Sequence, residues 1–358
     1  MIHRESATFK RTYAEDMALY PFPLPKITMV VITGLVFLVV PYVVSDYYLS
    51  LANLIGIAAL GAIGLNILVG YTGQISIGHA AFMSVGAYTA ANVVVRMGLP
   101  WWVAMPCGGG MAALVGVFFG IPSLRIKGLY LAISTLAAQL IIEWVLNHVT
   151  WISGGAQASI YVPRPTLFGF EMKSNFAFYY LIYVVLAIGI VFALNLFRTH
   201  LGRSFIAVRD RDVAAEIIGI NIFRTKLIAF AISSFYAGIT GVLYTYYYGV
   251  ANYEAFQLPQ SIEFLAMVII GGLGSVLGAI LGAIFITMLP IGLDITLRAV
   301  GFGLLGWNDA QVAGVVTQFQ LMLFGGLIMF FLVVEPDGLN KMWNNIKDYF
   351  KVWPFPYL

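Results

Sequence analysis

The sequence predicts an all-α polytopic membrane protein of about eight to nine transmembrane helices, some of them interrupted or re-entrant, with an internal repeat. Three observations carry that expectation. Of the 358 residues, 61% are hydrophobic and only 10% are charged, whereas soluble domains carry about 25% charged residues. The apolar residues fall into separate runs of membrane-spanning length with short polar connections. Two of those runs break at glycine clusters, one in each half of the chain, which is the sequence trace of a transporter built from repeats.

Residues 1–26 are polar and end in the proline-rich PFPLPK, unlike a cleavable signal peptide, and are expected to form a cytoplasmic or interfacial segment. A transmembrane domain then covers 27–334. Its first spans are Ile27–Val44, Tyr47–Val69 and Ile75–Val95, the last followed by Arg96 and the interfacial pair Trp101 and Trp102. Leu99–Gly120 is the fourth, with Gly108, Gly109 and Gly110 inviting a close helix contact. Gly128–Val149 and Ala177–Phe197 follow, separated by a long loop, Trp151–Phe176, that lacks a basic cluster. Leu227–Val250 is the seventh span. Leu321–Val334, with a glycine-rich lead-in from Ala313, is the last, and 335–358 form a tail with Lys341, Lys347 and Lys351.

Most of the 19 Lys and Arg residues lie within residues 1–26, at Arg125 and Lys127, from Arg198 to Lys226, and in the tail. The positive-inside rule therefore places both termini, the Arg125 loop and the 198–226 loop in the cytoplasm. The chain must cross an even number of times between Lys226 and the tail. Ser261–Pro290 should accordingly enter and return on one side, either as a re-entrant pair of short helices meeting at Gly271–Gly274, with the glycines near mid-membrane, or as two crossings.

The first broken stretch is LNILVGYTGQISIGHAAFMSVGAYTA, from Leu65 to Ala90. Gly70 and Gly73 permit strained backbone, and Thr72, Gln74, Ser76 and His79 bring polar side chains where a lipid-facing helix would carry Leu or Val. Either this is a tight cytoplasmic turn between two ordinary spans, or it is unwound backbone beside a translocation pathway, which membranes tolerate only when protein or a wet cavity surrounds it. Phe264–Pro290 repeats the pattern, with Gly271, Gly274 and Ser275 falling on Gly70, Gly73 and Gln74. Gly274, Gly278 and Gly282 then make a GxxxGxxxG seam, a helix-packing motif. His79 is the most intramembrane ionisable group and serves either packing or substrate contact.

Several function classes are excluded. There is no GxxxxGK[ST] P-loop, no paired His or Cys spacing for a metal, and no catalytic constellation. No cofactor is implied, and a net charge of +3 does not argue for nucleic acid. The cytoplasmic loop is the informative exception. Asp212 opens a short helix, VAAEII, as N-cap, and Gly219 closes it as C-cap. Ala214, Ala215 and Ile218 form a small apolar face among Arg209, Arg211 and Arg224, which suits either a solvated connector or docking into a partner's groove.

The 65–90 stretch, the segment RIKGLYLAISTLA, the loop RDRDVAAEIIGINIFRTKLIAFAISSFYAGITGVLY and GGLGSVLGAILGA together resemble the LivM-type permeases of branched-chain amino acid ABC importers. The resemblance runs from about Leu49 to Leu339. It implies that Asp212, Ala214, Ala215, Ile218 and Gly219 form the coupling helix, usually patterned EAA, three residues, then Gly, with Val213 here in place of the Glu. It further implies a LivH-type permease partner, two cytoplasmic ATPases, a periplasmic solute-binding protein and a bacterial inner membrane. Relatives in the wider family also carry urea, amides and carboxylates. A secondary transporter or channel working without ATP is the alternative reading.

Overall fold

Apolar runs with no water for their backbone must close their hydrogen bonds internally, and in the computed structural model of the chain they do so as helices. It describes residue 12 and residues 30–31, 33–124, 129–155, 159–167, 170–300, 319, 322–331, 333 and 338–352. The principal helices are α1 (Asp46–Thr72), α2 (His79–Met97), α3 (Trp101–Ser123), α4 (Leu129–His148), α5 (Asn175–Arg198), α6 (His200–Asp210), α7 (Asp212–Ile217), α8 (Ile222–Tyr248), α9 (Leu258–Gly271), α10 (Val276–Val300) and α11 (Gly338–Val352). A shorter apolar helix covers Met322–Phe331.

Six of these are long and apolar enough to cross a membrane: α1, α3, α4 from Tyr130, α5, α8 and α10 to Thr296. The expected eight to nine exceed this because α2, at 19 residues, is long enough but not apolar enough to count, and α9 is too short. The helix after the first break begins at His79 rather than Ile75, and α9 has 14 residues, about 21 Å at about 1.5 Å per residue. The first and last expected spans fall partly outside the described residues, as do segment 1–26 except residue 12, Arg125 and Lys127. Pro290, expected as an end, lies inside α10.

Capping explains most boundaries. Gly73, Gly98 and Gly249 end α1, α2 and α8 with positive φ of 67°, 64° and 74°, a region that costs Cβ-bearing residues. Ser174, Thr199 and Asn221 start α5, α6 and α8 by accepting from Ala177, Gly202 and Arg224 N–H groups. Before α1, a π-turn at Leu35–Val39 runs into Pro41, whose missing N–H leaves upstream carbonyls without a helical donor. Tyr179 and Tyr180 of α5 supply the donors, to Val36 and Phe37 at 2.8 and 3.0 Å.

The bundle has two ends. At one, the starts of α1, α5 and the end of α8 meet through Asn175, which donates to Asp46 and accepts from Tyr247. There β1 (Ser159–Tyr161) pairs antiparallel with β4 (Val250–Asn252), and β2 (Thr166–Leu167) with β3 (Phe170–Glu171). A hydrogen bond from Lys173 and its charge hold the exposed Glu171 carboxyl below its usual range. The other, basic end carries α6 and α7. α8 is central and packs on α1, α2 and α3, α5 packs on α1, and the α9–α10 hairpin closes the opposite side of α1.

The centre is held by glycines that bring backbones into contact. A Cβ on Gly86 of α2 would lie 2.3 Å from the Gly238 carbonyl of α8, and one on Gly241 would lie 1.9 Å from the Met83 carbonyl. Gly110, expected with its neighbours to make a close contact, has nothing within 4 Å of a built Cβ, whereas Gly108 and Gly109 meet side chains of α8. Gly86→Val should therefore lower stability by at least about 1–3 kcal/mol, read as a drop in the thermal midpoint of the detergent-purified chain, while Gly110→Ala, inside a helix with open space around it, should not lower that midpoint.

Candidate functional site

The segment between α1 and α2 leaves helical geometry at Gly73 and resumes it at His79. Along it, exposure alternates: Gly73 and Ile75 face outward, and Gln74, Ser76 and Gly78 face inward. The segment climbs from the basic end into the bundle. His79 packs its ring against Phe264 at 5.2 Å and against the Gly61 carbonyl, about 16 Å along α1 from Thr72 at about 1.5 Å per residue. Non-helical backbone therefore reaches the interior, where each polar group needs a protein partner.

Three side chains from two helices meet that need. Thr135 of α4 accepts from the Ile77 N–H at 3.0 Å, Gln139 of α4 accepts from Ala81 N–H at 2.8 Å, and Ser261 of α9 accepts from Ala80 N–H at 2.9 Å. Ser261 also donates to Gln139, whose amide donates to the Phe256 carbonyl. The open first turn of α2 is thus capped from outside, because Gly78 has no side chain to cap it. The His79 Nε2 atom is buried and finds no hydrogen-bond partner among the described residues.

The two glycine breaks meet. Asn66 of α1 donates to the Ser275 carbonyl at 2.8 Å and accepts from Gly274 N–H at 2.9 Å. Gly70 must be glycine for this, since a Cβ there would lie 2.0 Å from Asn66 Oδ1 and 2.3 Å from Gly274 N. Arg209 of α6 covers the junction: its Nη1 donates to the Gly70 carbonyl at 2.9 Å, and its side chain lies against Gly73 and Gly274. The second break therefore lies at the basic end and not at the mid-depth expected from the sequence. The α9–α10 approach runs through Gly271, Gly278 and Gly282, where a Cβ would lie 1.9–2.6 Å from carbonyls of the facing helix.

At the basic end, α6 and α7 form the ordered part of the 198–226 loop. Gly219 has φ of 91°, and Ile220 N–H closes on the Ala215 carbonyl, which is a left-handed helix stop. Asp212 is the first residue of α7 rather than its N-cap, a place held by Arg211, and its carboxylate accepts from the next N–H, Val213. Ala215 is 2% exposed and faces the protein. The outward surface is instead Ala214 with Val213, Ile217 and Ile218, the last two 81% and 74% exposed.

The pathway residues expected from sequence divide accordingly. Gly70, Gly274 and Ser275 are brought together, with Gly73 beside them under Arg209 and Gly271 at the α9–α10 contact. Gln74, Ser76 and His79 are 2% exposed, and Gln74 donates to Thr72 and to the Lys226 carbonyl. Sequence reasoning missed Asn66, Thr135, Gln139, Ser261 and Arg209. Asn66 and Gln139 carried a signal, as amides inside apolar runs; Arg209 carried none beyond belonging to a basic loop.

Residues 47–332 match the family described as branched-chain amino acid transport system / permease component. The chain is 32% identical over 325 residues to the high-affinity branched-chain amino acid transport system permease protein LivM of Escherichia coli (strain K12), covering 84% of this chain and 72% of that one. The Salmonella typhimurium LivM is 30% identical with the same coverage. The Salmonella typhimurium permease LivH of the same system is 25% identical over 306 residues, 78% of this chain and 90% of that one. No solved structure matches.

The Asn66 clasp is directly testable. Asn66→Leu keeps the branched shape but strands the Gly274 N–H and the Ser275 carbonyl, at about 1–3 kcal/mol for each group left buried. The thermal midpoint of the purified chain should fall, and a midpoint equal to that of the parent would show that the two breaks are held by packing alone.

Proposed function

The chain belongs to the branched-chain amino acid transport permease family, and from that premise we propose that it is the LivM-type transmembrane subunit of an ABC importer. The observation that carries the reading is the family match across 47–332. In this reading the chain forms half of the path for branched-chain amino acids or a related small polar solute. A LivH-type subunit supplies the other half, two cytoplasmic ATPases dock on the basic end, and a periplasmic binding protein delivers solute to the far end. The membrane is the bacterial inner membrane, with both termini in the cytoplasm. The family match does not favour a carrier or channel working without ATP.

The geometry supports a mechanism. The α7 surface of Val213, Ala214, Ile217 and Ile218 is apolar, exposed and held at a fixed end by Gly219, as a helix that inserts into an ATPase groove requires. Movement of α7 passes through Arg211 into α6, and Arg209 carries it to Gly70 and Gly274 together. Both breaks then shift as one. Their outward residues, Gly73, Ile75 and Leu273, would face the partner subunit across the path, while His79 and Ser76 brace the broken segment from within.

Three outcomes are expected of the complex reconstituted in proteoliposomes with solute-loaded binding protein. Ala214→Trp should wedge the ATPase groove and abolish the stimulation of ATP hydrolysis by loaded binding protein; unchanged stimulation would reduce the loop to a passive connector. Gly219→Val, forced to positive φ at about 1–2 kcal/mol, should weaken the same stimulation in part. Arg209→Met should behave differently, with ATP hydrolysis still stimulated and solute uptake per ATP reduced. If uptake and hydrolysis fall in strict proportion, Arg209 does not transmit movement.

A further inference from the structure

Helix α11 lies beyond the family match, which ends at residue 332. Its sequence, GLNKMWNNIKDYFKV, sets Leu339, Met342, Trp343, Ile346 and Tyr349 on one helical face, at spacings of three and four. The other positions hold Lys341, Lys347 and Lys351 with Asn340, Asn344, Asn345 and a single acid, Asp348, and Phe350 and Val352 in the last turn. Among the described residues the apolar face is largely uncovered: Met342 is 48% exposed, Trp343 52%, Ile346 49% and Tyr349 61%.

The position of the helix is set at its first residue. Gly338 has φ of 63°, and a Cβ on it would lie 2.6 Å from both the Gly272 N atom and the Ile270 carbonyl. The start of α11 is thereby pressed onto the end of α9, at the basic end of the bundle. From there an apolar groove of about 800 Å³ opens against α10, lined among others by Leu281, Phe285 and Met288 of α10 and by Leu339, Met342 and Trp343 of α11. Phe285 and Met288 belong to a membrane-crossing helix and are 37% and 42% exposed.

We propose that α11 is an interfacial helix that binds anionic phospholipid of the leaflet at the basic end, taking acyl chain into the α10–α11 groove and headgroups onto its lysines. Two features select lipid over a protein partner. The groove is continuous with the flank of a crossing helix, so bilayer reaches it without rearrangement. Three lysines against one acid complement an anionic surface, while Trp343 and Tyr349 are the aromatic types enriched at membrane boundaries. The proposal is independent of the solute carried and of the ATPase coupling.

The test uses the assembled importer in nanodiscs, with Cys107, the sole cysteine, changed to Ser. Trp343→Cys on the apolar face and Asn344→Cys on the polar face each carry an environment-sensitive nitrobenzoxadiazole label. With phosphatidylglycerol in the disc, the label at 343 should emit blue-shifted light, be quenched by doxyl phosphatidylcholine and resist iodide, while the label at 344 should show the reverse. Changing Lys341, Lys347 and Lys351 together to Gln should move the 343 emission toward that seen in pure phosphatidylcholine. Iodide quenching at both positions would place the helix in water and overturn the proposal. Protection at 343 that persists in detergent without lipid and ignores doxyl quencher would mean that protein covers this face, and would equally overturn it.

Discussion

A stretch of backbone that is not helical, Gly73 to Gly78, runs into the interior of a membrane bundle, and every N–H along its inner part and in the first turn of α2 must find a protein acceptor. That constraint organises the neighbouring helices. Thr135 and Gln139 tie α4 to the segment, and Ser261 brings the first turn of α9 to the first turn of α2. An apolar residue at any of these three positions would strand a buried donor at about 1–3 kcal/mol, a sizeable fraction of a domain's stability margin. The polar side chains inside these spans are the conditions under which the break can exist.

Much of the helical framework was legible from hydropathy alone. Leu99–Gly120, Ala177–Phe197 and Leu227–Val250 lie within a few residues of α3, α5 and α8, because a lipid-length apolar run has one way to satisfy its backbone. The break points were legible too, since Gly73, Gly272 and Gly274 all take positive φ. Depth was not. A run such as Ile75–Val95 reads as a full span because Ile75 and Ile77 are apolar, although the backbone there is not helical and the helix waits for His79. The side that each residue of α7 turns inward was also hidden, because six residues are too few for periodicity to show that Ala215 packs on the protein while Ile217 points away.

The junction at Asn66 joins parts that the sequence separates by about two hundred residues. Its two hydrogen bonds and the guanidinium of Arg209 make the end of α1, the α9–α10 turn and the last turn of α6 a single assembly. Gly70 and Gly274 are then glycines for a shared reason: each lets the other's backbone come close enough for one amide side chain to span the gap. The matching spacing of glycines in the two halves registers, in this structure, a contact between them.

The glycines where α2, α3 and α8 cross have a mechanical meaning. Contacts of carbonyl oxygen against bare Cα, as at Gly86 with Gly238 and Gly241 with Met83, leave no layer of side chains between helices that could yield when one slides past another. A joint of this kind behaves as a weld rather than a bearing. Rearrangement inside the chain would then be concentrated where side chains still separate the parts, and opening and closing would proceed by tilting an undeformed block, with its stroke set by lever length rather than by repacking.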